Sequence, residues 1–148
     1  MGCATDRIAG YRRAHAERGF PVDESLVRIG DFHQPLGYER ARELLALDEP
    51  PTAIFASNDV TAFGVMDAVR DHGLRIGDDI SIVGFDDILT ASMVHPKLTT
   101  VRQPLKEMGR RATRMLLSRI EHPTIAPERI DLPTELVIRQ SCSGRAGP

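Results

Sequence analysis

Residues 80–87 read ISIVGFDD, a nearly unbroken apolar run that ends on two carboxylates. A strand that does not alternate apolar with polar residues belongs in a parallel sheet covered on both faces by helices. Such a strand meets water where it ends, and in an open parallel α/β sheet the ligand crevice lies outside the carboxyl ends of the strands. Two other stretches repeat the pattern, TAIFASND at 52–59 and SLVRIGDF at 25–32. Asp31, Phe32, Ser57, Asn58, Asp59, Asp86 and Asp87 then all fall at strand C-termini. That predicts one polar site at one rim of the sheet.

The flanking segments read as helices. Residues 6–18 place Ile8, Ala9, Tyr11 and Ala14 among charges and stop at Gly19. Residues 36–47 put Ala41, Leu44, Leu45 and Leu47 near one face, and Pro50 and Pro51 close the segment. Asp59 is the expected N-cap of a helix over 60–72 that stops at Gly73. Residues 98–104 read as extended up to Pro104. Residues 105–121 form the most amphipathic helix, with Leu105, Met108, Ala112, Met115, Leu116 and Ile120 in one stripe. A last strand is expected within 132–139, before a Gly/Ser/Pro tail that frays. The fold class is α/β, an open parallel sheet flanked by helices.

The chain has 148 residues, enough for one domain with a core. Its 41% hydrophobic and 27% charged residues place it among globular proteins rather than disordered or membrane ones. No stretch approaches the roughly 18 apolar residues of a membrane span. The first residues lack a signal-peptide layout, so a cytoplasmic protein is expected. Cys3 and Cys142 stand far apart, outside any CxxC or metal spacing, and read as ordinary thiols. A net charge of −2 argues against a DNA-binding footprint in these residues. The densest basic cluster, Arg110, Arg111 and Arg114, reads as a solvated helix face near Glu107.

The rim offers little to an enzyme. A magnesium-dependent phosphotransfer site around Asp86 and Asp87 needs a lysine at another strand end, and Lys97 and Lys106 are wrongly placed. Asp87 reads instead as a cap for the next segment. Ser57 lacks a glycine-flanked elbow, the histidines are scattered, and the phosphate-cradling glycine motifs are absent. No metal and no cofactor are expected. A neutral polyol suits the rim better, because its hydroxyls both donate and accept. Carboxylate, carboxamide and guanidinium grip adjacent hydroxyls, and an aromatic wall covers the ring. Asp86, Asn58, Arg7 and Phe32 supply one of each.

These motifs, taken in order, resemble one family. RIAGYRRAHAERG, TAIFASND, VTAFGVMDAV, GLRIGDDISIVGFDD, HPKLTTVRQP, MGRRATRMLL and LPTELVIRQS are similar to segments of the LacI/GalR transcription regulators over about 6–141. The resemblance implies two α/β subdomains of periplasmic-binding-protein type joined by three crossovers, with a small ligand in the cleft. It also implies a homodimer that holds operator DNA through an N-terminal helix-turn-helix. By the same resemblance Arg7, Asn58 and Asp86 contact the ligand, Phe32 stacks on it, and Gln103 lies at a crossover where some members touch it. Thr61, Val65, Met66 and Ala68, with Leu89 and Met93, are implied in the dimer interface.

The helix-turn-helix and the sheet of the first subdomain are not among these residues. The effector-binding core then spans 1–140. Residues 1–101 form the C-terminal subdomain, and 104–122 a helix that packs on the N-terminal subdomain. A strand returns within 130–140, and 141–148 are a disordered tail. The alternative is a freestanding sugar-binding module, as in transport.

Overall fold

A computed structural model describes residues 2–144. The chain runs through α1 (Cys3–Glu17), a 3-10 turn (Glu24–Leu26), α2 (Gln34–Leu45), β1 (Ala53–Phe55), α3 (Asp59–Asp71) and β2 (Ser81–Asp86). A second 3-10 turn (Leu89–Ser92), β3 (Thr99–Arg102), α4 (Leu105–Glu121) and β4 (Glu135–Val137) complete it. The four strands lie side by side in the order β1-β2-β3-β4. β1, β2 and β3 are parallel, with Ile54 opposite Ile82 and Gly84 opposite Thr100. β4 departs from the expected all-parallel sheet. It pairs antiparallel with β3, Val101 opposite Leu136, because the chain leaves β3, runs out through α4 and returns.

The core lies on one face of the sheet. Ile54, Ile82 and Leu98 meet Ala41, Leu44 and Leu45 of α2 and Ala62, Val65, Met66, Ala68 and Val69 of α3, all buried. The two helices approach closely because Gly64 carries no side chain: a Cβ there would overlap the Gln34 carbonyl oxygen and stand 2.7 Å from the Tyr38 nitrogen. Gly73 at φ +75° takes the left-handed position after α3 that a side chain resists. The opposite face is not covered as expected. Phe55 is exposed, and Val83, Phe85 and Val101 are half-buried. A cavity of about 220 Å³ separates α1 and residues 26–32 from β1 and α2.

Four expectations are corrected. Residues 25–30 form no strand. The Asp23 carboxylate accepts the Ser25 N–H (2.8 Å), a local bond that selects a turn over the ladder, and the Arg12 guanidinium of α1 holds Glu24 there (2.8 Å). The cap of α3 is Asn58, whose Oδ1 accepts the Thr61 N–H at 2.8 Å, while Asp59 is the buried first residue of the helix. Val65, Met66 and Ala68, expected at an interface, are buried core residues, whereas Thr61 stays half-buried beside Gly37 of α2. The tail is fixed beyond 141. Ser141 is fully buried, donates from Oγ to the Ile82 carbonyl (2.6 Å) and accepts the Thr99 N–H (2.8 Å), and Ser143 bonds to the Gly77 carbonyl. The remainder of the expected tail, 145–148, lies outside the described residues.

α4 occupies the expected span but buries none of its residues, and Leu105, Met108, Leu116, Leu117 and Ile120 are exposed. A wet large side chain forgoes roughly 1.5–3 kcal/mol, against a total stability of about 5–15 kcal/mol. The isolated chain is therefore expected to self-associate as its concentration rises. Sedimentation velocity should show this, and Leu116→Glu should move the population toward monomer. A concentration-independent monomer with a sharp thermal transition refutes the expectation.

Candidate functional site

The rim at the carboxyl ends of β1, β2 and β3 collects the residues that the sequence singles out. Asn58 follows β1, where its amide serves two neighbours. Oδ1 caps α3, and Nδ2 donates to the Phe32 carbonyl at 3.1 Å, tying residues 31–33 to the sheet. Asp86 ends β2, and Gln103 follows β3. Because β2 and β3 are in register, Gln103 Nε2 reaches Asp86 Oδ1 at 2.6 Å. Arg7 comes from α1. Its Nη2 lies 3.8 Å from Asp86 Oδ1, and its guanidinium stands 4.0 Å from the Phe85 ring and 5.9 Å from Phe32. Arg7, Phe32, Asn58, Asp86 and Gln103 are thus brought together. Asp31 stays outside the group, its carboxylate accepting the His33 N–H at 2.9 Å.

Backbone geometry marks the same place. Among the described residues, the non-glycine positions with positive φ are Phe32 (67°), Asp86 (116°) and Asp87 (56°). Such conformations cost about 1–3 kcal/mol each and persist where their surroundings hold them. All three lie on this rim.

Two carboxylates behind Asp86 do structural work. Asp59 is fully buried; it accepts the Thr100 hydroxyl on Oδ1 (2.5 Å) and the Ile88 N–H on Oδ2 (2.9 Å). Gly84 makes the space, since a Cβ there would overlap Asp59 Oδ1. Burial pushes the Asp59 carboxyl above its ordinary value of 3.8, against the pull of those two hydrogen bonds. Asp87 does not cap the following turn. Arg139 Nη2 reaches its Oδ1 at 2.5 Å and Arg102 Nε its Oδ2 at 2.6 Å. Burial works to raise the Asp87 carboxyl, but these two guanidinium bonds outweigh it and hold it below 3.8. The sequence reading missed both arginines and the Phe85 platform. The available signal was an arginine directly after an apolar strand, at LVIR and again at TTVR.

Chemically, the rim offers a cation, an anion, two carboxamides and two rings. No group of three or more His, Cys, Asp and Glu among the described residues could hold a metal ion. No helix of the described chain is long and apolar enough to cross a membrane. A profile of the periplasmic binding protein-like domain matches residues 3–142. The chain belongs to that family.

Among known relatives, this periplasmic binding protein-like chain is 45% identical over 138 residues to the HTH-type transcriptional regulator DegA of Bacillus subtilis (strain 168). The match takes in 93% of the chain and 41% of DegA. In structure it is similar to the regulator CelR in its cellobiose complex, with a TM-score of 0.89 and 37% identity over 93% of this chain and 42% of CelR. A LacI family regulator from Enterococcus faecium with bound ribose gives a TM-score of 0.84 and 35% identity, covering 93% and 51% of the two chains. The chain therefore spans about half or less of the length of these relatives.

Proposed function

We propose that this chain is the effector-binding part of a LacI-type transcription regulator, and that its effector is a neutral polyol such as a sugar. The convergence of Arg7, Asn58, Asp86 and Gln103 beside Phe32 and Phe85 carries the reading. A guanidinium, a carboxylate and carboxamides donate to and accept from adjacent hydroxyls, while the rings cover the apolar face of a pyranose or furanose. Charge at the rim is balanced between Arg7 and Asp86, which suits an uncharged ligand.

Binding would act by population shift. A ligand that bridges this rim to the facing subdomain favours the closed arrangement by its differential affinity, and so changes operator binding by a helix-turn-helix outside these residues. The crossover at 101–103 carries Gln103 and is the route for that change. Leu89 and Met93, exposed on the turn after β2, together with half-buried Thr61, are the part of the expected homodimer surface that remains available. The protein would act in the cytoplasm, where operator DNA is found.

The test is calorimetric titration of the full-length regulator carrying this sequence with a panel of neutral mono- and disaccharides that includes D-ribose and cellobiose. Asp86→Ala should weaken the sugar that binds about 10- to 100-fold, the roughly 1–3 kcal/mol of an orphaned buried polar contact, with the thermal midpoint retained. Unchanged affinity in that variant, or no binding across the panel, overturns the assignment.

A further inference from the structure

Asp87 follows the proposed ligand carboxylate directly, yet its own carboxylate is held by a pair of arginines. Its side chain is 8% exposed, and its two oxygens are taken separately, Oδ1 by Arg139 and Oδ2 by Arg102. Each arginine has a further partner, although Arg102 stays exposed. Arg139 also donates to the Leu98 carbonyl at 2.7 Å, its backbone N–H reaches Thr99 Oγ1 at 2.9 Å, and Arg102 pairs with Glu135 of β4 at 3.3 Å. One carboxylate therefore joins the end of β2 to the end of β3 and to the returning chain beyond β4.

The two residues it holds are Asp86 at φ 116° and Asp87 itself at φ 56°, conformations that an L side chain resists. Asp86 meets Gln103 in that conformation, and Gln103 is the residue next to Arg102. The geometry points to Asp87 as the positioning residue of the rim: through Arg102 and Arg139 it holds the Asp86 carboxylate against Gln103 and ties it to the two segments by which the chain leaves and re-enters this half. Asp87 touches no ligand in this arrangement. It acts through Asp86, and the inference rests on the effector reading above only in calling that carboxylate a ligand group.

The test needs no effector, so its failure is separable from a failure of the effector reading. In the isotope-labelled chain at neutral pH, the Gln103 side-chain NH₂ signals should be displaced downfield by the bond to Asp86. Asp87→Asn should return them to the position of a solvated glutamine while the signals of Ile82 and Val69 stay in place. Val69→Ala, which lowers stability from the buried core near the C-terminal end of α3, is the control and should leave the Gln103 signals displaced. If Asp87→Asn does not fold, Arg102→Gln and Arg139→Gln are read the same way, and loss of the displacement in either one supports the inference. Retained displacement in Asp87→Asn, or in both arginine variants, overturns it. An equal loss in Val69→Ala also overturns it, since the effect would then be one of stability alone.

Discussion

Asp59→Ala is expected to lower the stability of the chain by about 3 kcal/mol, read as an earlier urea midpoint at pH 7 with an unchanged slope. The substitution removes the acceptor for the Thr100 hydroxyl and the Ile88 amide, and Thr100 is fully buried. An orphaned buried donor costs roughly 1–3 kcal/mol, and the loss of two from one network accounts for the total. Asp59→Asn keeps the shape and one acceptor, so it should lose less.

The same residue gives the chain a pH signature. The native Asp59 carboxyl lies above the ordinary 3.8, so the folded chain holds that proton where the unfolded chain has released it. Its contribution is present below about 3.8 and is lost as pH rises through the native value. Asp87 has the opposite sign, because its native carboxyl lies below 3.8. Its contribution is present above about 3.8 and is lost as pH falls through its native value. Asp59→Asn should remove the first dependence and leave the second, so its stability should not show the fall that the native chain shows as pH rises from about 3.8 through the native Asp59 value. Parallel profiles for the two proteins would contradict the assignment.

Gly64→Ala should cost about 3 kcal/mol, the upper range for overpacking a tight core. The added methyl meets backbone atoms of α2 at Gln34 and Tyr38 rather than a side chain that could turn aside. The thermal midpoint should fall by about 10 °C. Gly10→Ala is the matched comparison. It also sits inside a helix, but with open space around it, so the methyl should raise helix stability by about 0.5–1 kcal/mol. A Gly64→Ala midpoint within a degree or two of the native one would mean that α2 and α3 are less closely seated than described.

The helices were legible because their stop signals are local. Gly19 and Gly73 lie beyond α1 and α3 in left-handed backbone, and Pro104 precedes α4. β2 was legible from its apolar run alone. The 25–30 segment was misread because its apolar residues carry a strand signal while Asp23 and Arg28 compete through local bonds, and Arg12 through a contact from α1, that composition does not display. Asp59 is the expected cap, but its neighbour Asn58 is equally a capping residue type, and the local sequence does not decide between them. The decision comes from Gly84, distant in sequence, which opens the space that draws Asp59 inward and leaves the cap to Asn58. Asn58, Asp86 and Gln103 converged because strand ends in a parallel sheet face one way, whereas Arg7 arrives from α1 and Phe32 is held by the Asn58 amide. The Arg139–Asp87 ion pair was illegible because it depends on β4 returning beside β3 after a long excursion.

That return has a consequence for how the chain is made. A ribosome delivers β1, β2 and β3 in the order in which they pair, so the parallel part of the sheet can assemble as it emerges. β4 and Arg139 come out only after the whole of α4 and the loop beyond it. Until then the outer edge of β3 is bare, Asp87 has half of its partners, and Thr99 lacks the Ser141 hydroxyl that satisfies its amide. An unpaired strand edge beside an exposed apolar helix is the state in which a nascent chain is most open to wrong pairing. The interval between residue 102 and residue 141 leaving the exit tunnel is therefore the vulnerable period of biosynthesis for this sequence, and slow codons within it would lengthen the exposure.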